Sequence, residues 1–214
     1  MNVLNDDPDG DSRRSKENFM RLWNELPELS EPLGGDGKKP LRLFPVEVEK
    51  HPTLCLLDTC ACIDYLVKSP LQDLVVPIAA RAQPWDGFST WTIRSRIRSG
   101  GKTELQKLRL ALNEGHAQRL RPWYHYHLYV DSRTGHLVDG GIAGTKELVQ
   151  YALTHPQERQ AVTPPHNSRA WFYYVEFEEY DKAGFWMIRL GRSQTGMANI
   201  LAAPDSQERL RLVR

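Results

Sequence analysis

The sequence predicts one α+β domain: a mixed, mainly antiparallel sheet with flanking helices and a disordered N-terminal arm. Three observations carry this. Residues 91–98 alternate apolar and polar side chains with the period of a half-buried strand. Residues 122–138 hold two strand-like runs around Asp131-Ser-Arg-Thr-Gly135, which describes a hairpin. Residues 103–115 open on a capping-box pair, Thr103 and Gln106, and place Leu105, Leu108 and Leu112 along one helix stripe. A chain of 214 residues, 40% apolar, buries roughly 70% of its unfolded surface, so a core forms without metal or cross-link.

The remaining elements follow in order. Residues 1–16 are rich in Asp, Asn, Ser, Arg and Pro and have little to bury, which reads as the disordered arm. Residues 17–40 read as a helix and linker. Phe19, Leu22, Trp23 and Leu26 fall at i, i+3, i+4, i+7, and the stripe stops at Pro27 before a Pro/Gly-rich stretch over 32–40. That stripe suits docking on the core, and the linker would also let residues 19–29 reach a protein partner. The domain proper spans 41–214. Within it, residues 41–48 and 53–57 read as strands and 61–67 as a short helix. A Gly-rich loop over 139–144 leads into a helix from Thr145 to Leu153, and a Pro-rich loop covers 156–169. Aromatic strands at 171–177 and 185–190 read as a second hairpin, and a short helix with a basic end closes the chain at 209–214.

Composition removes whole classes of function. No apolar run approaches the ~18 residues of a membrane helix, and the start of the chain lacks the basic and apolar regions of a signal peptide. Three cysteines, Cys55, Cys60 and Cys62, are an odd number and suit a reducing compartment, so the cytoplasm is the expected location. They read as core thiols, since His51, Cys55, Cys60 and Cys62 match no common zinc spacing. Charge is segregated: residues 1–64 carry 13 acidic and 8 basic side chains, and residues 81–121 carry 9 basic and 3 acidic. An acidic front and a basic middle point to a polyanionic partner for the middle, or to a front that masks it.

The basic middle is the most coherent feature. Arg94, Arg96 and Arg98 fall on one face of the predicted strand, and Gly100-Gly101-Lys102 opens a helix that adds Lys107 and Arg109. Arginine forks and free N–H groups at a helix N-terminus bind phosphate oxygens, and Trp123, with Trp85, Trp91 and Tyr124, offers rings on which unpaired bases stack. A nucleic-acid-binding subunit or accessory factor is therefore the expected function, with DNA and RNA both open. The same row also describes an edge strand guarded by charge.

Histidines form the second feature. His125 and His127 share a strand face with Asp131, and a four-residue loop over 132–135 would bring His136 to that face. A divalent metal would then find three imidazoles and a carboxylate. A three-residue loop would send His136 to the other face, so the site depends on hairpin register.

Two families are resembled locally. His125-Tyr126-His127 resembles the His-hydrophobic-His motif of rolling-circle replication initiators and relaxases, and that resemblance implies a metal on the two histidines and Tyr151 as the nucleophile attacking DNA. Residues 56–66, Leu-Leu-Asp-Thr-Cys-Ala-Cys-Ile-Asp-Tyr-Leu, are similar to the first strand and helix of PIN-domain ribonucleases. This second resemblance implies Asp58 as a Mg²⁺ ligand, with Glu104 and Asp131 or Asp139 completing a carboxylate cluster. A metal-dependent nuclease is thus the alternative to a binding protein, and a protein-binding adaptor acting through residues 19–29 is the third reading.

Overall fold

The computed structural model describes residues 8–46, 57, 61–70, 74–97, 103–112, 120–155, 158–160 and 170–191, and these residues make the expected α+β domain. Its elements are α1 (Pro8–Glu25), β1 (Leu43–Pro45), β2 (Tyr65–Ser69), β3 (Leu74–Pro84), β4 (Thr90–Ile97), α2 (Glu104–Leu112), β5 (Tyr124–Val130), β6 (Leu137–Gly144), α3 (Thr145–Thr154), β7 (Glu158–Gln160), β8 (Ala170–Glu176), α4 (Phe177–Lys182) and β9 (Met187–Gly191). Six strands form one sheet in the order β1-β2-β3-β5-β6-β9, antiparallel except for the β3/β5 pair. The antiparallel β4-β8-β7 sheet lies over one face, and α1 covers the other. No helix among the described residues is long and apolar enough to cross a membrane.

Helix α1 starts at Pro8, so residues 8–16 belong to a helix and not to the expected arm. Proline is pre-set for a first helical turn, and an i,i+4 pair, Arg13 with Glu17 at 2.9 Å, supports the early turns. These turns also meet a need of the sheet. Strand β3 is longer than its partner β2, which pairs only from Leu74 to Ile78. Beyond that point the Ala80 N–H donates to Asp64 Oδ2 at 2.8 Å and the Ala82 N–H to Ser15 Oγ at 3.0 Å. Two side chains thus stand in for a missing strand and leave neither amide orphaned.

The predicted stripe of α1 is core. Phe19, Leu22 and Trp23 are buried against Tyr65, Ile78, Tyr126 and Leu128. Trp23 Nε1 donates to the Leu41 carbonyl at 2.7 Å, and the Tyr126 hydroxyl donates to the Leu29 carbonyl at 3.0 Å. The following segment is strapped down too: Pro27–Leu33 forms a 3-10 turn, and Ser69 Oγ donates to the Leu33 carbonyl at 2.7 Å. The apolar face of the helix is packed on the sheet, as the core-docking reading of the stripe expects, and not presented to a partner.

Four further expectations are corrected. Of residues 61–67 only Ala61 is helical; β2 begins at Tyr65, where Tyr65 and Val67 alternate inward with Leu66 and Lys68. Residues 74–84 form β3, a central strand that the sequence reading passes over. The Gly-rich stretch 139–144 is strand β6. The two aromatic strands do not make a hairpin, because α4 intervenes and sends β8 to the small sheet and β9 to the large one. The predicted strand over 53–57 lies outside the described residues except Leu57, as does the closing helix.

Glycine in β6 has a packing reason. A Cβ on Gly141 would stand 2.7 Å from Trp91 Cζ2 and 3.0 Å from the Phe177 ring, so the strand lies flat beneath two aromatic side chains. Gly141→Ala is expected to cost ~1–3 kcal/mol through overpacking. The check is the urea midpoint, which an unchanged value would show to be insensitive to that contact.

Candidate functional site

Strand β5 is buried on both faces, so its alternation sorts residues between two cores. Tyr124, Tyr126, Leu128 and Val130 face α1. His125, His127 and Tyr129 face the small sheet and its helices, where Tyr129 packs with Trp91, Ile93, Leu148 and Phe177. Register then aligns Arg81, His127, Gly141 and Arg189 in one row across the large sheet, with Ala79, His125, Ala143 and Met187 beside it.

A cleft of about 40 Å³ opens between the sheets and is lined by Asp64, Arg81, Trp91, Thr92, Glu104, His125 and His127, with Ile93 and Leu148 among its apolar walls. His125 and His127 are 5% and 3% exposed, and Nε2 of each has no hydrogen-bond partner among the described residues. Burial lowers the pKa of His125 to about 4, with Glu104 opposing and Arg81 adding to the fall. His127 is pushed well below the usual imidazole range by burial, then Arg81, then His125. Both rings are therefore neutral at pH 7. His127 also stacks on Tyr129, with ring centroids 4.9 Å apart.

The four-ligand metal centre is not assembled. The loop is the four-residue form, with the Asp131 N–H donating to the His136 carbonyl at 2.9 Å, yet His136 is exposed at the hairpin tip. Asp131 Oδ1 is occupied by the Arg133 and Thr134 amides at 2.9 and 2.7 Å. Among the described residues no three of His, Cys, Asp or Glu come together as ligands. Asp58, His51, Cys55 and Cys60 lie outside them, and Cys62 is half-buried.

Tyr151 is equally unsuited to nucleophilic attack. It is buried, stacks on His155 with centroids 4.3 Å apart and meets Tyr180 and Phe185 edge-on. Burial raises its phenol above the ordinary value, and Glu179 and Glu176 add to the rise. The carboxylates of the alternative cluster are likewise dispersed: Asp131 is at the hairpin tip, Glu104 at the cleft, and Asp139 is buried in an ion pair. Asp139 accepts from Arg189 Nε and Nη2 at 2.7 Å each, from the Gly140 N–H at 2.8 Å and from Ser89 Oγ.

The basic feature divides. On β4, Trp91, Ile93 and Ser95 are buried while Arg94 is exposed, as the alternation predicts. Register slips at Ser95, pairing Arg94 with Phe172 but Arg96 with Trp171, which marks a bulge in β4 at that point. Arg98 and Lys102 lie outside the described residues. The α2 cap is closed by its own side chains: the Gln106 N–H donates to Thr103 Oγ1 at 3.3 Å and the Thr103 N–H to Gln106 Oε1 at 3.0 Å. With the acidic Glu104 in that first turn, the helix end is not an open phosphate seat. Arg109 is exposed and Lys107 half-buried on α2. Trp91 and Tyr124 are core residues, so these two rings are not base platforms; Trp123 is half-buried against the α1 core and Trp85 is exposed.

The structure supplies aromatics the sequence reading did not single out. Because Trp91 and Ile93 face inward opposite Val175 and Tyr173, Phe172 and Tyr174 lie with Arg94 on the other face of the small sheet, half-buried. Arg94 Cζ stands 5.7 Å from the Phe172 ring centroid, and Phe172 meets Tyr174 edge-on at 6.5 Å. Arg159 occupies the register position on β7 opposite Phe172. The signal was present, since residues 171–174 are aromatic at every position and both faces of that strand must carry rings.

Comparison with protein-family models, with curated proteins and with solved structures finds no match to this chain.

Proposed function

We propose that the protein binds single-stranded nucleic acid on the outer face of the β4-β8-β7 sheet. The observation that carries this is the grouping of exposed Arg94 over Phe172, with Tyr174 alongside. A sheet face with two rings and a guanidinium offers stacking surfaces to unpaired bases and a fork to the phosphate between them. Arg109 and Lys107 on α2, the helix that follows β4, extend the positive potential, and the excess of basic residues over 81–121 supports a polyanion as partner. The reading assumes a cytoplasmic setting, and it treats the protein as a binding subunit or accessory factor.

The test uses fluorescence anisotropy with labelled single-stranded RNA and DNA. Arg94→Glu combined with Arg109→Glu is expected to abolish binding, and Phe172→Ala to weaken it by ~1–3 kcal/mol for each base released from stacking. Circular dichroism confirms that the variants remain folded. Unchanged binding by the folded Arg94→Glu, Arg109→Glu variant would overturn the proposal.

A further inference from the structure

The cleft between the sheets plays no part in the binding face just proposed, yet it concentrates unmet hydrogen-bonding capacity. Three buried polar nitrogens without a partner among the described residues, Trp91 Nε1, His125 Nε2 and His127 Nε2, all belong to residues that line it. Buried polar groups are almost always paired, and leaving one unpaired is unfavourable, so three around a single opening mark a place built for a polar occupant. About 40 Å³ is room for a few waters or for one small ion of the same bulk.

The donor inventory narrows the occupant. An indole N–H and a guanidinium can only donate, and imidazole Nε2 donates when it carries the proton. Arg81 places Nη1 2.7 Å from Thr92 Oγ1, which leaves its other N–H groups free of that bond. The two carboxylates at the opening are held by backbone amides: Asp64 Oδ2 by Ala80 at 2.8 Å and Glu104 Oε2 by Arg94 at 3.2 Å. A cation would face the Arg81 guanidinium, and among the described residues no carboxylate or thiol groups with the two imidazoles as a third ligand. An occupant with acceptors on several sides fits donors arriving from β3, β4 and β5.

We propose that this cleft binds a tetrahedral oxyanion, a phosphate or phosphomonoester group, between Arg81, Trp91, His125 and His127, and that the two histidines take up protons as it binds. The charged and titratable groups facing the pair are Arg81 from β3, Asp64 from the segment before β2, Glu104 from α2 and Tyr129 on β5 itself; α3 contributes the apolar Leu148. Burial, with Arg81 adding to it, disfavours the charged imidazoles and outweighs the opposing Glu104 at His125. A dianion bound beside the rings favours their charged forms, and the imidazoliums become its donors. The inference does not rest on the nucleic-acid reading, and its test contains no nucleic acid.

Calorimetric titration of the full chain with inorganic sulfate and inorganic phosphate tests it, sulfate being a dianion at every pH used. Sulfate affinity is expected to rise as pH falls from 7.8 to 5.8, by roughly tenfold per pH unit for each proton taken up, with proton uptake confirmed by the difference between two buffers. Arg81→Gln is expected to lose binding, and His127→Asn to flatten its pH dependence. Histidine ¹⁵N resonances of the unmodified protein give a reading that needs no variant: sulfate moves Nε2 of both rings toward the imidazolium position. No binding at millimolar sulfate at any of these pH values, or binding with unmoved histidine resonances, would overturn the proposal.

Discussion

Replacing Asp139 by alanine is expected to destabilise the protein by about 3–5 kcal/mol, the range for breaking a buried ion pair from one side. Asp139 is wholly buried and carries two arginine bonds, a backbone amide and the Ser89 hydroxyl. Its loss strands the Arg189 guanidinium, which lies 4.8 Å from the Phe177 ring centroid, and leaves Ser89 and the Gly140 amide without their acceptor. The pair also joins β6 to β9 near the start of β4, so the damage reaches both sheets. Urea denaturation gives the magnitude. Removing both charges in Asp139→Ala with Arg189→Met is expected to cost clearly less than the sum of the single changes, because the second substitution removes the stranded charge. A single-variant loss below ~1 kcal/mol, the range of exposed pairs, would show that the network is not a buried one.

The second large effect is acid sensitivity. The folded-state pKa of His125 lies at about 4 against 6.5 for an ordinary imidazole, and His127 is also depressed. A histidine whose folded value is lowered binds its proton better when the chain unfolds. The stability it contributes is therefore complete above about pH 6.5 and is lost as pH falls toward the folded value. His125 alone accounts for roughly 2 kcal/mol of loss between pH 7.5 and pH 5 by this linkage, and His127 adds in the same direction. Urea midpoints across that range check it, and His125→Asn with His127→Asn is expected to flatten the curve. The window lies above the ordinary carboxylate range, so the flattening is attributable to the histidines. A midpoint independent of pH in the unmodified protein would contradict their burial as neutral rings.

How much of this was legible in the sequence depends on whether the controlling interaction was local. The α2 cap is an exchange between Thr103 and Gln106, three residues apart, and it stands as read. The β5–β6 hairpin and the inward face of α1 are likewise short-range patterns and survive intact. What failed were properties set by distant partners. Gly140 and Gly141 resemble loop residues until Leu128, Trp91 and Phe177 are seen to occupy the space a side chain would need. Strand β3 lacks a clean alternation because it lies mid-sheet beside β5, with parts of both faces covered, and so gives no period-two signal.

The site divides along the same line. His125 and His127 do share a face, as their spacing requires, but that face is an interior one, which only the packing of a second sheet decides. Tyr151 sits on the predicted helix with His155 one turn on, but Tyr180 and Phe185, which bury it, come from a distant part of the chain. Of the three-arginine row, Arg94 is exposed as its alternation requires, and the strand pairing slips at Ser95, which no local pattern announces. Phe172 and Tyr174 gain meaning only once β8 is seen to pair with β4.

Binding of single-stranded nucleic acid through arginine and ring contacts is tested by a salt titration of the unmodified protein with labelled single- and double-stranded RNA and DNA. Intact but retarded strands are expected, with a preference for single strands and a log affinity that falls linearly with log salt, at a slope of about −0.7 for each phosphate contacted. Binding that ignores salt, or no shift of any strand at low salt, would contradict it.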